Sequence, residues 1–136
     1  HFFLLPPQRT RERLAKPGEN IDHERFLNEV LVPLEAGMEA AYRPYSCRTA
    51  SMGAPITVKP SPMVLVEGSY SCHPALWEHY DCRVFLSVGL EEQLRRIEAR
   101  DGRAQLEIFQ EKWIPLEERY FSSFRIEDRC DYQIEL

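Results

Sequence analysis

Apolar residues of this chain fall into short runs and helical stripes separated by proline- and glycine-rich breaks. Phe2 to Leu5 is apolar and reads as the tail of a strand or the start of a loop. Pro6 to Gly18 is polar, basic and bounded by prolines, so it predicts a loop with about one helical turn. Phe26, Leu27, Val30, Leu31 and Leu34 then recur at helical spacing, which predicts an amphipathic helix near residues 23 to 36. Asp22 is placed to cap that helix, and Pro33 to kink or end it. Tyr42 to Arg48 looks extended, Ser51-Met52-Gly53 supplies turn chemistry, and Ile56-Thr57-Val58 is β-branched, so a β-hairpin is expected.

Met63-Val64-Leu65-Val66 reads as a buried strand that stops at Glu67-Gly68, and Arg83 to Val88 as a second. Gly89 can cap the next helix, with Glu91 and Glu92 suited to its positive end. Leu90, Leu94 and Ile97 form its buried stripe, and Gln93, Arg96 and Arg100 cluster on one flank. A last helix is expected near Leu106 to Phe124, with Phe109, Trp113, Leu116 and Tyr120 on one face and a bend at Pro115. Tyr132 to Leu136 is a candidate third strand. Strand and helix alternate, which favours a parallel α/β sheet.

The length, 136 residues, fits one domain or part of one, and the 43% apolar content suffices for a core. A net charge of -5 speaks against a nucleic-acid footprint. No apolar run approaches the ~20 residues of a membrane span, so no membrane partner is expected. The four cysteines stand far apart without a Cys-x-x-Cys pair, which fits reduced thiols in a cytoplasmic protein. Cys72, His73 and His79 lack a fourth ligand at sensible spacing, which speaks against a metal there.

The segments His1-Phe2-Phe3, Asn20-Ile21-Asp22-His23, Arg43-Pro44-Tyr45, Val64 to Gly68, Val84-Phe85-Leu86 with Leu94-Arg95-Arg96-Ile97, Arg100-Asp101, Trp113 to Glu117, and Cys130-Asp131 follow one another in a distinctive order and spacing. Together they resemble the uridine kinase-like branch of P-loop nucleoside and metabolite kinases. The resemblance implies a three-layer P-loop NTPase-type fold: a central parallel sheet, helices on both faces, and a β-hairpin insertion. No Gly-x-x-x-x-Gly-Lys-Ser/Thr loop occurs in the chain. The resemblance therefore implies the C-terminal part of a single kinase domain, incomplete at its N-terminus. The phosphate loop, and an aspartate base beside the aromatic pair, would then fall before His1.

By the same resemblance the activity is transfer of the ATP γ-phosphoryl to a hydroxyl of a nucleoside or similar metabolite, with Mg²⁺. Glu67 would support the metal or the acceptor, since Mg²⁺ keeps several waters and one carboxylate is enough. The alternative is a strand-end carboxylate that caps nearby N–H groups. Arg96 and Arg100 resemble lid arginines that bind transferred phosphate oxygens. They could equally belong to a solvated helix face. Arg103 and Asp131 would lie with the nucleotide. Phe3, Tyr45 and Arg48 would line the acceptor pocket, although Ala50 stands where uridine kinases carry a base-contacting histidine. A homo-oligomer stays open. The rival reading is a non-catalytic relative that binds a nucleotide, a metabolite or a partner chain.

Overall fold

The computed structural model describes all of residues 1–136 as a mixed α/β chain with two compact units, His1–His79 and Tyr80–Leu136. In the first unit, a single 3-10 turn (Pro6–Gln8) and the short helix α1 (Arg11–Leu14) occupy the polar N-terminal stretch. An isolated antiparallel bridge joins Phe3 to Ile21. It brings the N-terminal segment alongside the start of the first long helix.

That helix runs as α2 (His23–Phe26), a π turn (Leu27–Leu31) and α3 (Val32–Glu35). Asp22 caps it as the sequence predicts, its carboxylate accepting from Arg25 N at 3.1 Å. The π turn has a steric origin. A proline inside an α-helix lacks a donor and clashes with the carbonyl four residues back. Widening the turn before Pro33 leaves the proline in the first turn of α3, where no N–H is required. Val30 and Leu31 from this turn are buried, with Leu4, Ala40, Tyr45, Leu76 and Trp77 completing the unit's apolar core.

The expected hairpin forms as two nested antiparallel pairs. β1 (Ala40–Tyr42) pairs with β4 (Ile56–Val58), and β2 (Tyr45–Ser46) with β3 (Ser51–Met52). Gly53 packs within the hairpin, where an added Cβ would sit 3.1 Å from the Pro44 ring. A six-residue 3-10 helix, Pro74–His79, closes the unit and contributes Leu76 and Trp77 to its core.

In the second unit β5 (Val84–Ser87) pairs in parallel with β6 (Tyr132–Glu135), in register from Val84 with Tyr132 to Ser87 with Glu135. Between them run α4 (Leu90–Asp101), α5 (Arg103–Ile108), a second π turn (Phe109–Trp113), α6 (Ile114–Phe124) and α7 (Ile126–Arg129). This π turn also ends just ahead of a proline, Pro115, which again lies in the first turn of the next helix. Parallel strands need such a helical crossover, because a tight hairpin cannot join them. Ile97, Ile114, Tyr120 and Ile126 are buried, and Phe85 meets Phe121 edge-on at 5.2 Å between ring centroids.

The expected wide parallel sheet is not formed; the strands make three two-stranded sheets. Met63 to Val66, expected as a buried strand, is irregular and unpaired, with Met63 82% and Leu65 90% exposed. An apolar run becomes a strand only when neighbours complete its backbone ladder, and none flanks this one. The β5–β6 pair is likewise open on one side. Val84, Leu86, Tyr132 and Ile134 share a face by register, and all four are exposed. No helix is long and apolar enough to cross a membrane.

Candidate functional site

Glu67 does not stand at the end of a sheet strand, as the sequence suggested. It is exposed in the irregular segment after Val66 and makes no ion pair. Its freedom has the same cause as the missing strand: no neighbouring backbone anchors residues 63 to 66. Glu67 belongs to the first unit, and Arg96 and Arg100 to the second.

Arg96 and Arg100 lie four residues apart on α4, one turn along the same face. Both are largely exposed. Arg96 Nε donates to Glu92 at 2.7 Å, and the Arg100 guanidinium reaches Asp101 at 2.7 Å. Arg100 also lies over the Phe109 ring, 5.8 Å from its centroid. The hydrogen bond that Arg100 donates to Asp101 raises its already high pKa. Glu92 accepts from Arg95 and Arg96 together, and these bonds, Arg95 first, hold it down at about 2. Exposed pairs of this kind are worth little. Gly102 (φ +82°) separates α4 from Arg103, the exposed first residue of α5.

Asp131 has a structural task. Its carboxylate accepts from Arg83 N at 2.7 Å and Arg83 Nη1 at 3.2 Å, while its own N–H donates to Arg83 O at 3.0 Å. The reciprocal bonds fix the register at which β6 begins beside β5. Tyr45 is 5% exposed, its N–H bound to His1 O at 2.9 Å and the Arg9 guanidinium over its ring at 5.7 Å. Its buried ring is covered by the guanidinium of the exposed Arg9. Arg48 is exposed in the turn between β2 and β3, and Phe3 is also exposed.

A constellation that sequence reasoning missed joins Glu19, His23 and His73. The two imidazoles stack at 4.0 Å between centroids and 15° between planes. Glu19 Oε1 lies 3.3 Å from His23 Nε2 and 3.9 Å from His73 Nε2. Arg13 borders the group, donating to Glu24 at 2.7 Å, to Glu19 O at 3.1 Å and to Ile21 O at 3.0 Å. One ligand atom from each of Glu19, His23 and His73 lies within 4.8 Å of the others. The ring geometry nonetheless opposes chelation as folded. Lone pairs lie in the ring planes, and planes so nearly parallel do not meet within the ~2.0–2.1 Å of a zinc–nitrogen bond. His79, paired with His73 in the sequence reading, instead contacts Glu35 at 2.8 Å. The signal available in the sequence was the i,i+4 spacing of Glu19 and His23; the fifty-residue reach to His73 had none.

No protein-family profile matches this chain, and no curated protein matches it.

Proposed function

We propose that this chain is part of an ATP-dependent phosphotransferase that acts on a hydroxyl of a nucleoside or similar small metabolite. The observation that carries the reading is the second unit. A parallel β–α–β connection runs from β5 into a helix bearing Arg96 and Arg100 on one exposed face. In open α/β sheets, ligands bind beyond the carboxyl ends of parallel strands, and α4 starts at that end of β5. Phosphoryl transfer spreads negative charge over oxygens, which planar guanidinium groups bind in pairs.

In this reading the parallel β5–β6 pair is part of the wider three-layer sheet of a P-loop kinase-like domain, its open edges the places where further strands would pair. Met63 to Val66 would become a paired strand with Glu67 at its end. Glu67 would then hold a water-rich Mg²⁺, the role one exposed carboxylate suits. Phe3, Tyr45 and Arg48 would border the acceptor, and Arg103 and Asp131 the nucleotide. The second reading is a non-catalytic relative that binds a nucleotide, a metabolite or a partner chain.

The test is transfer of labelled γ-phosphate from ATP to a panel of nucleosides and metabolite alcohols, using the complete gene product. A Mg²⁺-dependent phosphomonoester is expected. A folded product that binds nucleosides and transfers nothing to any hydroxyl would establish the second reading instead.

A further inference from the structure

His73 stands in the turn between Glu67 and the Pro74–His79 helix, and its ring is fastened from two directions. One face stacks on His23, the first residue of α2. At the edge, His73 Nδ1 accepts from Ala75 N at 3.2 Å, while His73 O accepts from Leu76 N at 2.8 Å. The tautomer follows from the first bond: Nδ1 carries a lone pair, so the neutral ring has its proton on Nε2, the side of Glu19. The imidazole is buried.

A second proton on this ring can go only to Nδ1. There it would face the Ala75 N–H, donor against donor, and the bond that shapes the turn would be lost. The ring would also become a cation stacked on a second imidazole. We propose that the His23–His73 stack is an acid-operated latch: a proton on His73 Nδ1 releases residues 68 to 79 from the start of α2, and so loosens the segment that follows Glu67.

The charged and titratable groups around His73 come from three neighbouring segments. His23 and Glu24 belong to α2, Glu19 to the turn before it, and Arg13 to α1. Burial is the main effect and holds the imidazole down at about 4 from its ordinary 6.5; His23 acts in the same direction, Glu19 and Glu24 oppose it, and Arg13 adds to the lowering. A depressed value means that the closed latch is at full strength above the open-state pKa and weakens as pH falls towards the closed-state value. With the open ring at ~6.5, opening grows about tenfold per pH unit inside that window, or about 30-fold from about pH 7.5 to about pH 5.

Amide hydrogen exchange read by mass spectrometry, corrected for the intrinsic rate at each pH, measures this without any nucleotide. The latch therefore stands or falls separately from phosphoryl transfer. The expected result is an opening of amides 69 to 79 that rises about 30-fold over that range, ahead of the rest of the first unit. His73→Asn keeps an acceptor for Ala75 N–H but cannot take the proton, and its rise should stay below about threefold. If that variant does not fold, the wild-type His73 ring proton is titrated by NMR instead. A midpoint below about 5 supports the latch, and one near 6.5 overturns it. An acid response of equal size in His73→Asn, or an increase spread evenly over the unit, also overturns it.

Discussion

Asp22 is almost fully buried, and each of its carboxylate oxygens is used. Oδ1 accepts from Arg25 N at 3.1 Å, and Oδ2 from Gln8 Nε2 at 2.9 Å. Its own N–H donates to Phe2 O at 2.8 Å. One side chain thus caps a helix and holds the N-terminal segment against it. Asp22→Ala would strand two donors in the interior, so it should lower stability by about 2 kcal/mol in urea unfolding; a loss below about 0.5 kcal/mol would show that water replaces both bonds. The capping role was legible because Asp before an amphipathic run has a local cause. The bond to Gln8 was not, since it depends on how the chain returns across a separation of fourteen residues. The latch histidines were hidden for the same reason: His23 lies in a readable helix start, but its partner is distant in the chain.

At the scale of the element, prolines explain where both long helices depart from regularity. Pro33 and Pro115 each follow a π turn and each sit in the first turn of the helix that continues. The sequence predicts a kink or stop at these points; the wider turn is the form the accommodation takes. A proline in a regular helix interior costs about 3 kcal/mol relative to alanine. Because the π turn has already removed the demand for an N–H at Pro115, Pro115→Ala should change stability by less than about 1 kcal/mol in chemical denaturation. A gain near 3 kcal/mol would mean that the ring is strained where it stands. Helices and hairpin were readable because their hydrogen bonds are local or nearly so. The strand at Met63 to Val66 was misread because four apolar residues specify burial only when a sheet exists to receive them, and β propensity follows context.

For the whole molecule, the two open surfaces matter most. Val84, Leu86, Tyr132 and Ile134 expose an apolar face on β5–β6, and Met63, Val64 and Leu65 expose an apolar run in the first unit. The candidate phosphate-handling groups divide the same way, Glu67 in one unit and Arg96 and Arg100 in the other. The sequence pattern carried the phosphotransferase reading, while α4 supplies its most concrete chemistry: two largely exposed guanidinium groups held by carboxylates of their own helix, with Arg100 also over the Phe109 ring. The direct measurement is steady-state kinetics of the complete gene product with Arg100→Ala. If Arg100 binds charge that develops in transfer, kcat should fall by about 10³-fold while KM for ATP moves only a few-fold. An unchanged kcat, or a rise in KM alone, would contradict that role and leave α4 as an ordinary solvated helix.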